Sequence, residues 1–160
     1  RKIGSGNIGA TNALRTGNKI IGYATLILDV LKAVIPVIYT KIYFPDLLYV
    51  ASLSAFLGHV FPIWLKFKGG KGVAAYLGVI LALSYKFFLV FGVSWLILSF
   101  LFRFASLSSI ASSLIIFIYA FFFNDSNYSL ILFIFLVIII YTHRENIVRL
   151  KNSKENKIKL

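Results

Sequence analysis

From residue 22 to residue 142 the chain is a succession of apolar runs separated by short polar stretches, and this alternation limits its fold more than any other feature. A helix needs about 20 apolar residues to cross a hydrocarbon core of ~30 Å. Six runs fit that description, at 22–44, 47–65, 72–85, 87–104, 106–123 and 128–142. The third and sixth are short, which tilt or local thinning of the bilayer accommodates. No alternating pattern or hairpin turn competes with helices. Only 14% of the residues are charged and 59% are hydrophobic, too few charges to cover a water-facing surface of this size. The expectation is an all-α integral membrane protein with six transmembrane helices, the residues 1–160 forming a single polytopic domain. The chain opens on Arg1 and contains no Met, so it reads as a fragment whose start lies upstream.

The basic residues give the orientation. Arg1, Lys2, Arg15 and Lys19 precede the first run, and Lys66, Lys68 and Lys71 lie between the second and third. Arg103 lies at the end of the fourth run, beside its connection to the fifth, and Arg144, Arg149, Lys151, Lys154, Lys157 and Lys159 follow the sixth. On the opposite side lie only Lys41, near the end of the first run, and Lys86, in a connection, while Lys32 sits well inside the first run. That skew places both ends in the cytoplasm. A formal charge of +12 also suits nucleic acid, but there the basic residues would form one stripe on a polar face. Clusters between apolar runs indicate topology instead, so no nucleic acid is expected as a partner and a lipid bilayer is. Cysteine is absent, which excludes disulfides and thiolate metal sites.

Three polar patches fall on the cytoplasmic side. The first runs from Arg1 to Arg15 and contains Gly-x-Gly-x-x-Gly at Gly4, Gly6 and Gly9. A dinucleotide fold is excluded, because only three residues of this sequence precede the motif and no βαβ unit follows. Its glycines still allow backbone N–H groups close to an anion, with Ser5, Asn7 and Asn12 as hydrogen-bonding groups and Arg15 as a bidentate fork for phosphate. The plainer alternative is a loop with a helix cap. The second patch is Gly58-His59-Val60-Phe61-Pro62 followed by Lys68-Gly69-Gly70-Lys71-Gly72. Gly72 stands where a Walker loop has Ser or Thr, so the motif is not one. Lysines and glycines at the start of a helix nevertheless suit an anion; positive-inside topology alone explains Lys66 and Lys68 but not the glycines around Lys71.

The third patch is His143-Arg144-Glu145-Asn146 through Leu150, with Glu155 beyond it. If the last run continues as helix, His143 and Asn146 share a face, and His143 is a candidate general base. The alternative is a basic juxtamembrane tail on anionic lipid. Asp29 and Lys32 inside the first run read as a structural ion pair or a snorkelling lysine, and Arg103, Ser106 and Ser109 as a small polar cluster. Lys41, Asp46, Lys86 and Asp125 read as solvated loop charges, Trp64 and Trp95 as interfacial belt residues, and the Ser/Phe/Ile-rich later runs as lipid-facing. The two histidines lie far apart and no carboxylate cluster accompanies them, so no metal site is expected. A phosphate transporter would carry its polar groups at the midplane, often with inverted repeats; here they lie at span ends on one side.

In this order the three patches resemble those of the bacterial acyl-phosphate:glycerol-3-phosphate acyltransferases, the PlsY family. The match rests on Gly4 to Asn12 with Arg15, on Gly58 to Pro62 with Phe67 to Ala74, and on His143 to Ile147 with Arg149-Leu150. The resemblance implies seven spans in the intact chain, the first lying upstream of Arg1. It implies transfer of a fatty acyl group from acyl phosphate to the 1-hydroxyl of glycerol 3-phosphate, giving lysophosphatidic acid and phosphate without a cofactor. The setting it implies is the bacterial inner membrane, with the active site on the cytoplasmic face and other phospholipid-synthesis enzymes as neighbours. By motif position, His143, Asn146 and Lys71 are the catalytic residues. Ser5, Gly6, Asn7, Asn12, Arg15, Gly69, Gly70, Gly72, Ser106 and Glu155 are the substrate-binding set, within which Glu155 braces the third motif. Two positions depart from the family pattern: Ala75 stands where Thr is common, and Ser153 where Gly is common.

Overall fold

The structure is a computed structural model that describes residues 6–14, 16–123 and 126–158, without the side chains of Ser126 and Asn127. Among these residues all regular structure is helical. The chain divides into two compact units, 1–84 and 85–160.

The first unit begins with a short helix, α1 (Ala10–Leu14). Next comes α2 (Lys19–Tyr43), whose 25 residues are capped by the Asn18 side chain accepting from the Ile21 N–H at 3.2 Å. At 1.5 Å per residue α2 is about 37 Å long, enough to cross a bilayer. Helix α3 (Leu48–Val60) follows, with single 3₁₀ turns on either side that extend it to Pro45–Leu65. The unit ends with α4 (Val73–Leu83). The Leu14 side chain lies over Gly22, where a Cβ would collide with it.

The packing of α2 on α4 follows one stripe of α2, Asp29, Ala33, Val37 and Lys41, spaced four residues apart. Ala33 and Val37 are fully buried. Gly78 of α4 meets the Val30 carbonyl and Ala33 so closely that a Cβ there would overlap both. Small residues permit such backbone approach where no hydrophobic effect drives helices together. Both ends of the stripe are charged. The Lys41 ammonium donates to the Ala82 and Leu83 carbonyls at 2.9 and 3.0 Å, placing a cation on the negative end of α4. Lys41 therefore closes a helix end and is not the solvated loop charge expected of it; a long side chain on a neighbouring helix made the difference.

With only 11 residues, α4 rises about 16 Å, well short of a crossing. Gly78 sits beside Val30 and Ala33, so Gly72, six residues earlier, falls about 10 Å inside the N-terminal end of α2. The predicted third span is thus a half-length helix entered by a loop that dips toward the bilayer.

The second unit contains α5 (Tyr85–Phe102), α6 (Ala105–Phe122), α7 (Ser126–Thr142) and α8 (Arg144–Lys151). Phe87 packs edge-on against Tyr119 and Tyr128, with ring centroids 6.3 and 5.5 Å away. The serines of α6 do not face lipid: Ser106, Ser108, Ser109, Ser112 and Ser113 are all buried. Ser108, Ser109 and Ser113 return their hydroxyls to carbonyls four residues back, at 2.8–2.9 Å. Trp95 donates its indole N–H to Ser109 at 3.1 Å and so ties α5 to α6; it lies at the middle of α5, not at the span end expected of a belt residue. Trp64 remains exposed, as a belt residue would be.

Four helices are long and apolar enough to cross a membrane: Lys19–Tyr43, Pro45–Leu65, Tyr85–Phe102 and Ala105–Phe122. A fifth results if α7 and α8, bent by 60°, are taken as one span. The fold is therefore all-α, as expected, with four or five candidate crossings among the described residues where six runs were read.

Candidate functional site

The N-terminal patch is described from Gly6 onward; Ser5 and Arg15 lie outside the described residues. Gly6 has φ +69°, a conformation that glycine adopts without strain. The Asn7 carboxamide accepts from the Gly9 N–H at 2.9 Å, and the Asn12 side chain donates to the Asn7 carbonyl at 2.7 Å. Both asparagines thus shape the loop and the start of α1, and Asn12 is buried in doing so.

The second patch packs on the C-terminal end of α3. Gly69 N–H donates to the Val60 carbonyl at 3.0 Å, and Gly70 N–H to the His59 carbonyl at 3.3 Å. A Cβ on Gly69 would overlap both carbonyls, and one on Gly70 would overlap the His59 ring. These two glycines therefore serve to close the loop onto α3, and their N–H groups are not directed at an anion. The residues left for that task are Lys71, half-buried, and the first N–H groups of α4, which have no intrahelical acceptor. Gly72, at φ +89°, turns the chain into that helix. Ala75 is fully buried inside the first turn.

The same region holds a contact that the sequence did not reveal. Asp29 Oδ1 lies 2.7 Å from Lys32 Nζ and 3.5 Å from His59 Nδ1. The spacing of Asp29 and Lys32 on one helix was a visible signal; the approach of His59 depends on how α3 packs.

The third patch is built around a helix break. The chain bends by 60° between α7 and α8, so His143 does not continue the span as expected but caps α8, its carbonyl accepting the Ile147 N–H at 2.9 Å. The His143 ring is buried, with Nδ1 2.8 Å from the Ile139 carbonyl. A carbonyl can only accept, so Nδ1 carries the proton and Nε2 is the basic nitrogen of the neutral ring.

Asn146 and Arg149 of α8 meet the carboxylate of Glu155. Asn146 Nδ2 lies 2.6 Å from Oε1, Ser106 Oγ donates to the same oxygen at 2.8 Å, and Arg149 Nε lies 2.8 Å from Oε2. Glu155 was grouped with the substrate-binding residues, yet both its oxygens are taken by protein donors; it acts as the brace. Burial pushes its carboxyl up, but the hydrogen bonds from Asn146, Arg149 and Ser106 and the Arg149 charge outweigh that, and the group lies below its ordinary value. The Ile158 N–H donates to the Arg103 carbonyl at 2.7 Å, fastening the tail beyond Glu155 to the turn between α5 and α6.

The turn that returns Glu155 to α8 is a Schellman motif. Lys154 N–H bonds the Arg149 carbonyl at 2.7 Å and Ser153 N–H the Leu150 carbonyl at 3.1 Å. Ser153, at φ +55°, occupies its left-handed position. An L-residue there costs roughly 1–2 kcal/mol, and part of what glycine would recover is offset by its greater freedom in the unfolded chain. Ser153→Gly is expected to stabilise the protein by about 0.5–1 kcal/mol, read as a higher melting temperature in detergent with unchanged turnover.

Residues 1–153 match the family described as glycerol-3-phosphate acyltransferase. A glycerol-3-phosphate acyltransferase of Pelagibacter ubique (strain HTCC1062) is 58% identical over 160 residues, covering 100% of this chain and 83% of its own. One from Mesorhizobium japonicum is 48% identical over 158 residues, covering 99% and 81%. Two crystal structures of PlsY (YgiH), an integral membrane glycerol 3-phosphate acyltransferase, superpose closely. The glycerol 3-phosphate form gives a TM-score of 0.94 at 37% identity, covering 99% of this chain and 82% of the other. The lysophosphatidic acid form gives 0.91 at 36%, covering 97% and 81%. The chain belongs to the glycerol-3-phosphate acyltransferase family, and it is an integral membrane protein.

Proposed function

We propose that this protein transfers a fatty acyl group from acyl phosphate to the 1-hydroxyl of glycerol 3-phosphate, forming lysophosphatidic acid and inorganic phosphate. The observation that carries the reading is the buried His143, its Nδ1 fixed by the Ile139 carbonyl at 2.8 Å so that Nε2 is the proton-accepting atom. Membership of the family supports the acceptor substrate; the bound form of one similar structure is that of glycerol 3-phosphate.

An acyl phosphate is already activated, so the reaction needs no covalent enzyme intermediate. The 1-hydroxyl oxygen attacks the acyl carbonyl carbon, the bond from that carbon to the phosphate oxygen breaks, and phosphate departs with the electron pair. His143 Nε2, or an oxygen of the substrate phosphate, accepts the hydroxyl proton. Asn146, held by Glu155, orients the acceptor, and Lys71 with the N-terminal end of α4 takes the charge of the leaving phosphate. Ser5 and Arg15 bind the phosphate of glycerol 3-phosphate.

In this reading the 160 residues serve one activity. Five crossings are the apolar helices and the bent pair, and α4 with its entering loop makes the sixth. The polar patches face the cytoplasm of a bacterial inner membrane, on the side of the Lys66, Lys68 and tail lysines. Enzymes that consume lysophosphatidic acid in the same bilayer are its neighbours. The test is an assay of purified protein with glycerol 3-phosphate and either acyl phosphate or acyl-CoA, following free phosphate and lysophosphatidic acid. Product from acyl phosphate alone is the expected result; product from acyl-CoA alone would overturn the choice of donor.

A further inference from the structure

We infer that the outer face of α8 and the tail behind it form a docking surface for the anionic headgroups of the surrounding leaflet, with Arg144, Lys151, Lys154 and Lys157 as its cations. The inference rests on the reading above that α7 crosses the bilayer and α8 lies at its cytoplasmic end. The third patch admits a reaction site and a basic segment on anionic lipid, and α8 gives each its own face. Asn146 is buried and turned to Glu155, whereas Arg144, Val148 and Lys151, spaced four and three residues apart, lie together on the exposed side.

That side continues the outward stripe of α7. Leu130, Phe133, Val137 and Tyr141 are exposed along one face of α7. The Arg144 guanidinium sits over the Tyr141 ring, 4.5 Å from its centroid, and donates to the Tyr141 carbonyl at 3.0 Å. A tyrosine at the end of such a stripe marks the headgroup level. There the chain bends by 60°, so α8 leaves the direction of the span and turns toward the membrane plane. Val148 stands 57% exposed between Arg144 and Lys151. At the headgroup boundary its apolar side chain is covered while the cations meet phosphates, as in an interfacial helix. The tail adds Lys154 and Lys157, both exposed, and is held by the Schellman turn and by the Ile158 N–H on the Arg103 carbonyl. Acidic residues do not cancel this charge: Glu155 is turned inward, its side chain 7% exposed, and Glu145 lies 3.9 Å from Arg149. Four basic residues just beyond a span attract anionic lipid. The Lys151 and Lys154 side chains make no hydrogen bond or ion pair among the described residues, so both are available to it.

The test compares the full chain with its Lys151→Gln/Lys154→Gln variant, which removes two cations and no protein contact. Each is placed in nanodiscs of phosphatidylcholine, alone or in equal parts with phosphatidylglycerol, and backbone hydrogen exchange across α8 is read by mass spectrometry. Opening of α8 must first detach it from the surface, and a cation near an anionic surface is worth about fivefold in binding. Phosphatidylglycerol is therefore expected to slow exchange in wild-type α8 by about five- to tenfold, and by less than about twofold in the variant. Molar salt, which shortens screening to about 3 Å, is expected to abolish the difference in the wild type, and it gives the same reading should the variant fail to insert. Equal exchange in the two lipids, or slowing that persists in the variant or in molar salt, overturns the assignment. The same slowing by inorganic phosphate in phosphatidylcholine overturns lipid as the occupant. Exchange is read without substrate, so a failure of the proposed reaction leaves this result standing, and the converse holds as well.

Discussion

His143→Ala is expected to lower kcat by about 10²- to 10⁴-fold, the range that a general base contributes, while KM for both substrates changes by less than about threefold. The size follows from the ring's placement: it is buried at the α7–α8 bend, with Nδ1 committed to Ile139, which leaves Nε2 as its basic nitrogen. Because His143 also caps α8 through its carbonyl rather than its side chain, the alanine variant should keep that cap and fold, with a melting temperature lowered by the cavity that the buried ring leaves. Turnover near the wild-type value would assign the proton to a phosphate oxygen of the substrate instead. His143→Gln separates the two further, since it restores hydrogen bonding without a basic nitrogen.

Glu155→Ala is expected to destabilise the fold by about 1–3 kcal/mol, the cost of leaving hydrogen-bond donors without their acceptor at a part-buried pair. It leaves Asn146, Ser106 and Arg149 without the acceptor they share. Thermal unfolding in detergent should show the loss, and activity should fall with it because Asn146 is no longer held. Acid provides an independent check. The folded carboxyl lies below its ordinary value, so its contribution is complete above the unfolded-state value of about 4.3 and disappears as pH falls through the lower folded value. Wild-type melting temperature should therefore decline in that acidic window. Glu155→Gln, less stable at neutral pH, should lack this part of the decline; an identical acid profile in both proteins would remove Glu155 as the hub.

The membrane class and the helices were legible because a bilayer makes simple demands on length and hydropathy. The run at 72–85 misled, since composition does not say how deep a helix begins; that was fixed by Gly78 meeting Val30 and by the loop closing on α3. The glycines of that loop were legible as a site of close approach, but the partner is the end of α3, and a sequence does not state what a glycine approaches. Glu155 could be placed in its motif, whereas its bond to Ser106, 49 residues away, arises only when the tail folds back. Ser153 stood out as a departure from family pattern; its positive φ explains why glycine suits that position. Asp29 and His59 were both noticed and not connected, because a long stretch of chain and a helix reversal separate them.

The shortness of α4 bears on how a half-greasy molecule is handled. A loop set about 10 Å inside one end of a helix some 37 Å long lies near the hydrocarbon boundary. A phosphate held at that level has its attached chain already among lipid tails. Raising a chain into water would cost about 0.8 kcal/mol for each methylene, or roughly 5 kcal/mol for six. A full-length α4 would put the loop outside and impose that cost at every turnover. On the proposed assignment of the donor's phosphate to this loop, starting the helix low would let donor and product exchange sideways with the bilayer, so release need not wait on extraction of the chain.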